Sequence, residues 1–450
     1  MSKTKPSLPR GTRDFGPAVA AKRSYIIEKI KANFIKYGFS QIETPALENL
    51  SVLTGKYGDE GDQLLFKLLN SGDFLKKSSS EDFAAGSKHL TNMISEKGLR
   101  YDLTVPFARF VVMNQNDITF PFKRFQIQPV WRADRPQKGR YREFYQCDAD
   151  IVGSKGIWNE IELTLLFRDV FKDLNLADYV IKINHREVLF LLAEYVGLKE
   201  ETIAFCAEID KLDKIGQEKV SENILELGAD PKKLEDTMRI LGLRERNQVM
   251  EELKTLSDSN EGLDQLDEYF QLLADLDDSV QVELDISLAR GLSYYTGMIY
   301  EVKPTSVKMG SICGGGRYDD LTGMFGLKGV SGIGISFGLD RIFDVLDELE
   351  LFPENISQPL DVLAVHFSNM NLNHGQKIIS ALRDEGIKAD LYPESSKIRK
   401  QFDYADKIKV PYTLIIGDTE MESGSYMLKN MQTGEQKPMT LDEIITLFRG

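Results

Sequence analysis

The sequence of 450 residues carries a formal net charge of −14, with 42% apolar and 28% charged residues. This composition is typical of a globular protein, and the length predicts two or three domains. A surface this acidic repels nucleic acid, so any contact with RNA requires basic residues that cluster locally.

The cysteines and histidines exclude several kinds of site. Cys147, Cys206 and Cys313 are odd in number and far apart, which argues against a disulfide scaffold or a structural zinc site and fits a reducing compartment. The sequence contains no HExxH pattern and no GxxxxGK[ST] phosphate loop.

No apolar run follows the charged N-terminal residues, and no stretch of about 18 apolar residues occurs. We therefore expect a cytoplasmic protein without a secretory signal or a membrane span.

The first third of the chain predicts a helix, an extended segment, an insertion and a hairpin. Apolar residues at helical spacing predict a helix over 17–37. Residues 39–48 are predicted to be extended and broken at Pro45. The segment 71–98 is rich in Ser, Lys, Gly and Asp, which predicts a mobile surface insertion. A long antiparallel hairpin is predicted over 122–152.

Helices are predicted over 157–174 and over most of 187–274, where the acidic composition suggests a helical insertion. The clean alternation of 280–288 predicts a strand. Residues 330–349 predict a glycine-rich strand followed by a helix.

The pattern changes after residues 351–359, which contain two prolines and are predicted to be a linker. Beyond it, a small alternating α/β domain of about 90 residues is expected. Its predicted strands are 359–367, 388–394 and 411–417, and its predicted helices are 373–385 and 395–409. Thr440 and Glu443 predict a capping box for a last helix.

The second arm of the predicted hairpin has two unlike faces. Phe144, Gln146, Asp148 and Asp150 share one face, and Tyr145, Cys147, Ala149 and Ile151 share the other. The second face is apolar and suits a core, whereas the first carries acids and an amide. A solvated face gives the same pattern, but the phenylalanine in the polar row favours a ligand.

The loop between the two arms is strongly basic, with five arginine and lysine residues between positions 132 and 142. Arginine matches phosphate oxygens in a bidentate way, and the neighbouring Phe144 can stack on a base. A solvated charged loop is the alternative interpretation.

Two further segments suit a ligand cleft. LARGLSYYTG at 288–297 would project a cation and phenol hydroxyls from the end of a buried strand, although two core tyrosines and a surface arginine explain it as well. The glycines of VSGIGISFGLDRIFDVL at 330–346 allow a backbone to approach a ligand or another strand closely.

The second segment also contains GISFG, a formal match to the GxSxG nucleophile elbow, with Ser336 as the nucleophile. No HGGG-type segment precedes it, and the downstream histidines, His366 and His374, lie beyond the predicted linker. A serine hydrolase is therefore only a distant alternative.

These segments together resemble the class II aminoacyl-tRNA synthetases, and specifically the histidyl-tRNA synthetase family. Their order is that of the family: a helix and a strand with Pro45 like motif 1, a hairpin like motif 2, and a strand–helix unit like motif 3 with Arg341. LARGLSYYTG looks like the histidine-binding signature, and RPQKGRYREFYQCD looks like the family's version of motif 2. The resemblance runs from about Leu8 to the C-terminus.

The resemblance implies an α+β catalytic domain over 1–350, with a mixed, mainly antiparallel sheet and a helical insertion at about 187–275. A linker at 351–359 and a C-terminal α/β anticodon-binding domain at 360–450 would follow. The implied reaction is activation of L-histidine by ATP, accompanied by Mg²⁺, and transfer of histidine to the 3′ end of tRNA(His). A homodimer built on motif 1 is also typical of the class.

The resemblance also implies a role for each matching residue. Three arginines are implied in catalysis: Arg132, Arg290 and Arg341. The residues implied to bind histidine are Asp102, Thr104, Arg132, Gln146, Asp150, Arg290, Tyr294 and Tyr295. Those implied to bind ATP are Arg132, Asp134, Arg140, Phe144 and Arg341, and Gln137 is implied to contact the acceptor end of tRNA.

The implied pocket suits imidazole, whose two nitrogens need different partners. A carboxylate such as Asp150 can accept from one nitrogen, and a phenol such as Tyr295 can pair with the other. Alanine or leucine would leave these buried polar groups unpaired and would be rejected. Many bacterial relatives carry glutamate where this chain has Asp102, Asp134 and Asp150, and YREFYQCD is closer to the eukaryotic and archaeal style.

Two related interpretations stay open at this point. One is the noncatalytic regulatory subunit of ATP phosphoribosyltransferase, and the other is a class II synthetase for proline or threonine. The ARGLSYY segment argues against both, and the C-terminal domain argues against the first.

Overall fold

The structure is a computed structural model, which describes residues 5–56, 58–137, 139–257, 260–277, 279–289 and 295–449. The chain folds into two compact units. The first comprises Met1–Asp14 and Arg23–Phe352, and the second comprises Phe15–Lys22 and Pro353–Gly450.

A large sheet and a small sheet form the framework of the first unit. The strands of the large sheet are β1 (Ser40–Gln41), β5 (Phe122–Trp131), β6 (Glu143–Val152), β7 (Tyr179–His185), β8 (Val282–Leu284), β9 (Met298–Pro304), β10 (Cys313–Tyr318) and β11 (Gly332–Gly338). The strands of the small sheet are β2 (Leu47–Asn49), β3 (Lys67–Leu68) and β4 (Lys97–Leu99).

The large sheet is mixed and mainly antiparallel, as predicted. Its strand order is β1-β5-β6-β11-β10-β9-β7-β8. The outermost pairs, β1 with β5 and β7 with β8, are parallel. The inner pairs are antiparallel.

Helices cover the large sheet and make up most of the chain between β7 and β8. Those up to the end of β11 are α1 (Pro17–Lys36), α2 (Leu50–Leu53), α3 (Gly58–Gln63), α4 (Ser80–Ala84), α5 (Ser87–Ile94), α6 (Thr104–Met113), α7 (Trp158–Asp173), α8 (Arg186–Tyr195), α9 (Thr202–Ile209), α10 (Leu212–Ile215), α11 (Gln217–Glu226), α12 (Pro231–Leu241), α13 (Arg246–Leu256) and α14 (Glu261–Leu276). Helix α15 (Leu339–Glu348) follows β11 directly. Helices α8 to α14 lie where helices were predicted, over most of 187–274.

Helix α1 packs on one face of the large sheet because its apolar residues recur on one side. Ile26, Ile30 and Phe34 are buried at a spacing of four residues. The ring centre of Phe34 lies 5.3 Å from that of Phe125 on β5 and 5.8 Å from that of Phe337 on β11. This face of the sheet is therefore core, which leaves the opposite face for a ligand.

Residues 71–98, predicted as a mobile surface insertion, are mostly exposed and contain secondary structure that was not predicted. They contain α4, α5 and the start of β4. Strand β4 pairs with both β2 and β3. The last residues of the segment thus supply the central strand of the small sheet.

The strand predicted over 280–288 extends only over β8. Beyond it the chain turns at Asp285, whose carbonyl accepts from the Leu288 backbone N–H at 2.9 Å and whose carboxylate accepts from the Ser287 hydroxyl at 2.5 Å. Ile286 and Leu288 are still buried. The apolar alternation therefore indicated burial correctly but overestimated the strand.

The second unit is built on a five-stranded sheet. Its elements are β12 (Val362–His366), α16 (Asn369–Asp384), β13 (Ala389–Leu391), α17 (Ile398–Lys407), β14 (Tyr412–Ile416), α18 (Asp418–Ser423), β15 (Ser425–Asn430), β16 (Gln436–Thr440) and α19 (Leu441–Arg449). The strand order is β13-β12-β14-β15-β16. The first three strands in this order are parallel, as in an alternating α/β unit. The last two, β15 and β16, form an antiparallel hairpin that was not predicted, and β15 pairs antiparallel with β14.

The predicted capping box at the start of α19 is present. The Thr440 backbone N–H donates to the Glu443 carboxylate at 2.8 Å, and the Glu443 backbone N–H donates to the Thr440 hydroxyl at 3.4 Å. None of the described helices has the length and apolar character that a crossing of the bilayer needs.

Candidate active site

A cavity of about 510 Å³ opens on the face of the large sheet opposite α1. Ten predicted site residues line it: Asp102, Thr104, Arg132, Asp134, Arg140, Phe144, Gln146, Asp150, Tyr295 and Arg341. Gln137 lies outside it, on the exposed hairpin loop, where its backbone pairs with that of Arg140. Arg290 and Tyr294 lie outside the described residues.

Strand register brings the acidic side chains of β6 to the cavity. Side chains alternate across a strand, so Gln146, Asp148 and Asp150 all lie on the cavity side. Asp150 is opposite Arg124 of β5 on one side and Gly334 of β11 on the other. The β5–β6 hairpin and β11 therefore form the floor of the site.

Two partners hold the Asp150 carboxylate. Its Oδ2 lies 2.6 Å from Nη2 of the fully buried Arg124, and its Oδ1 accepts a hydrogen bond from the Tyr318 hydroxyl. Burial raises the pKa of Asp150, against the lowering effects of Arg124 and Tyr318. The guanidinium of Arg124 also lies 4.2 Å from the centre of the Phe107 ring. The carboxylate is thus fixed in orientation while lone pairs remain for a ligand donor.

Glycines on β10 and β11 make room for this carboxylate. A Cβ atom at Gly334 would lie 2.0 Å from Asp150 Oδ1, and one at Gly315 would lie 2.1 Å from the Gly334 carbonyl oxygen. At Gly316 a Cβ would lie 2.8 Å from the Tyr295 ring. The glycine-rich segments therefore serve close packing around Asp150 and Tyr295.

The other part of the cavity is cationic. Arg132 donates from Nε to the Tyr101 carbonyl oxygen at 3.0 Å. Its guanidinium carbon lies 4.2 Å from the centre of the Tyr101 ring and 5.2 Å from that of Phe144. This arrangement holds the guanidinium in place and leaves its terminal nitrogens for an anion. Arg140 lies 3.7 Å from the Asp134 carboxylate.

Arg341 is held at the first turn of α15. Its Nε donates to the Gly139 carbonyl oxygen at 3.1 Å, and its Nη1 donates to the Ser311 carbonyl oxygen. The preceding residue, Asp340, forms ion pairs with Arg13 and Arg23. The hairpin loop and the start of α15 are therefore linked through Arg341.

Sequence reasoning missed two residues that shape the floor of the site, Arg124 and Tyr318. The pairing of β5 with β6 carries the signal for Arg124, because every second residue of β5 faces the same side as the acids. The glycine run that precedes Tyr318 (Gly314–Gly316) is typical of close approach between strands, but it does not indicate which strand is the partner.

The hydrolase alternative is wrong. Ser336 lies inside β11 and not on a sharp strand–helix turn, and its Oγ accepts from Gln146 Nε2 at 3.3 Å. Among the described residues that line the cavity there is no histidine to serve as its base.

Comparison with known proteins identifies the family. The histidyl-tRNA synthetase family model matches residues 89–342, and an anticodon binding domain model matches residues 362–450. A histidine–tRNA ligase of Cytophaga hutchinsonii is 52% identical over 447 residues, which cover 98% of this chain and 99% of that protein. The chain belongs to the histidyl-tRNA synthetase family.

Solved structures agree with this assignment. The histidyl-tRNA synthetase from Nostoc sp. PCC 7120 has a TM-score of 0.83 and 29% identity, and the match covers 99% of this chain and 100% of that one. An ATP phosphoribosyltransferase regulatory subunit/histidyl-tRNA synthetase from Bacillus halodurans has a TM-score of 0.72 at 21% identity, covers 89% of this chain and 97% of that one, and shows the fold alone. As a member of the histidyl-tRNA synthetase family, the chain is an aminoacyl-tRNA synthetase, a ligase that charges tRNA(His) with histidine using ATP.

Proposed function

We propose that the cavity binds histidine and ATP side by side and joins them as histidyl-adenylate. The observation that carries this proposal is the polarity of the cavity. Buried carboxylates, Asp102 and Asp150, line one part, and Arg132, Arg140 and Arg341 line another. Histidine brings an ammonium group and an imidazole, and ATP brings phosphates, so each ligand has a complementary set of side chains.

The acidic part would bind histidine. Asp102 and Thr104 take the amino group, and Asp150 and Tyr295 take the two imidazole nitrogens. Gln146 lies on the same face of β6 as Asp150. We assign Tyr294 to the same pocket because of its position in the motif. The fixed orientation of Asp150 supports this division, because a carboxylate that cannot rotate discriminates between ring nitrogens and apolar groups.

The cationic part would bind ATP and stabilise the reaction. Phe144 and Arg341 lie on the two sides of the adenine, and Arg140, beside Asp134, contacts the γ-phosphate. The histidine carboxylate attacks the α-phosphorus, pyrophosphate leaves, and Arg132 stabilises the charge that builds on the α-phosphate oxygens. A second arginine, Arg290, has the same role on the strength of its motif.

Magnesium would arrive with ATP as part of the substrate. Within the described part of the chain, no group of three or more His, Cys, Asp or Glu side chains could hold a metal ion. In such sites Mg²⁺ is bound by substrate phosphates and one or two carboxylates. Glu301 lines the cavity and suits such a contact.

Transfer of histidine requires tRNA(His) to reach both units. We assign the anticodon to the C-terminal domain at 360–450, after a linker at 351–359, and the adenylate to the catalytic domain at 1–350. Gln137, on the exposed loop of the hairpin, is the proposed contact with the acceptor end.

Two copies of the chain would associate through the elements that resemble motif 1. Ile35 on α1 and Leu47 on β2 are large apolar side chains with 57% and 49% of their surface exposed. We expect Leu47→Asp to shift the mass measured by light scattering from dimer to monomer, and an unchanged dimer would remove this surface from the interface.

The proposed location is the cytoplasm, because the three cysteines are buried and unbridged, as suits a reducing compartment.

The proposed function is tested by ATP–pyrophosphate exchange with each of the twenty amino acids. We expect exchange with histidine alone, because no other side chain offers two ring nitrogens to Asp150 and Tyr295. Exchange with a different amino acid would contradict the histidine pocket. No exchange by a folded protein with Mg²⁺ present would contradict adenylate formation.

A further inference from the structure

Asp148 lies in the acidic part of the cavity, and the roles proposed above do not use it. Its side chain lines the cavity and is 2% exposed. Its Oδ1 has no hydrogen-bond partner among the described residues. A buried acceptor without a donor is costly. This oxygen therefore indicates a ligand that brings a donor.

The neighbouring acceptors indicate which donor. Gln146, two residues earlier on the same face of β6, donates its Nε2 to Ser336, and its Oε1 also lacks a partner in the described part of the chain. Asp102 lines the same cavity, and its negative charge acts on Asp148. An ammonium group has three donors and no acceptor, so it is satisfied where three acceptors meet.

The charges in this part of the cavity also favour a cation. Asp102, Asp148 and Asp150 line it, and the buried cation beside them is Arg124, whose Nη2 pairs with Asp150 at 2.6 Å. Burial raises the pKa of Asp148 to about 7, against the effect of Arg124 and reinforced by Asp150 and Asp102. A bound ammonium would offset this excess of negative charge.

We propose that Asp148 is a determinant of amino-acid binding, whose Oδ1 accepts a hydrogen bond from the α-ammonium group of histidine. With Asp102 and Thr104, which are assigned to the amino group above, it completes a set of three acceptors, and Gln146 adjoins it on β6. The inference rests on the proposed histidine site and adds a contact to it.

Asp148→Asn tests this contact with two competitors of histidine in the exchange assay. Histidinol has the ammonium and the imidazole, whereas 3-(imidazol-4-yl)propionate has the imidazole without the amino group. We expect the KM for histidine and the inhibition constant of histidinol to rise about 10- to 100-fold, because the amide is a neutral and weaker acceptor for an ammonium than the carboxylate. The inhibition constant of the propionate should change less than about twofold, because its contacts are kept.

The outcomes separate this inference from the proposed function. An equal loss for both competitors, or an unchanged constant for histidinol, overturns the role of Asp148. If the unaltered chain shows no histidine-dependent exchange, it is the proposed function that fails. Asp178→Asn, which removes the same charge from an exposed position away from the cavity, is the matched control.

The pH dependence of the unaltered chain gives a second test that needs no folded variant. The groups that face Asp148 are Arg124 from β5, Asp150 from its own strand, Asp102 from the segment before α6 and the Ser336 hydroxyl from β11. Asp148 carries a proton below its raised pKa and a negative charge above it. The ratio of the two inhibition constants, each corrected for the ionisation of its free ligand, should favour histidinol increasingly from pH 6 to pH 8, centred on a pKa of about 7. A flat ratio overturns the proposal.

Discussion

Replacing Arg132 with alanine is expected to lower kcat/KM for histidine-dependent ATP–pyrophosphate exchange by about 10³-fold, as for loss of a preorganised transition-state donor. The guanidinium is already fixed by its bond to the Tyr101 carbonyl oxygen and by the rings of Tyr101 and Phe144. It therefore reorganises little when charge builds on the α-phosphate. The loss should appear mainly in kcat, because the interaction strengthens in the transition state.

Two further variants identify the cause of the loss. Arg132→Lys keeps a positive charge but not the planar fork, so it should recover only part of the activity. Arg244→Ala removes an arginine from an exposed position between α12 and α13 and should leave exchange unchanged. A loss of less than about tenfold in Arg132→Ala would show that other groups stabilise the phosphate.

Secondary structure was predictable where the apolar residues of a single helix or hairpin repeat with a regular period. Helix α1 and the β5–β6 hairpin follow from apolar periodicities of 3.6 and 2. The strand predicted over 280–288 was too long, because alternating apolar residues indicate burial and not strand pairing. The turn at Asp285 depends on side-chain hydrogen bonds, which periodicity does not detect. The hairpin β15–β16 was missed because an edge hairpin has weak alternation and its pairing is set by the rest of the sheet.

The candidate site was predictable where a residue lies within a motif. Arg132, Phe144 and Arg341 were named from local sequence, and the structure brings all three to one cavity. Arg124 and Tyr318 were not named, because their importance comes from register. Only the pairing of β5, β6, β11 and β10 places these residues against Asp150, and no single-segment pattern encodes it.

The same register makes Gly334 important for histidine binding. We expect Gly334→Ala to raise the KM for histidine by roughly 10²- to 10³-fold, as for a misplaced polar contact in a specific pocket. The new Cβ would lie 2.0 Å from Asp150 Oδ1 and 2.5 Å from its carboxyl carbon. The carboxylate must move, and it cannot do so without disturbing its bonds to Arg124 and Tyr318. The KM for ATP should change little, because the phosphate-binding arginines are not displaced.

Gly156→Ala is the matched control for this substitution. Gly156 is exposed, and the nearest described atom to a Cβ there is Ser154 Oγ at 3.9 Å, an ordinary contact. Thermal melting of both variants separates a local displacement from a loss of fold. If Gly334→Ala melts normally and keeps the wild-type KM for histidine, the orientation of Asp150 does not decide recognition of the substrate. A selective loss with normal melting means that the glycine-rich strand acts through Asp150, so that a residue without a side chain sets the specificity of the site.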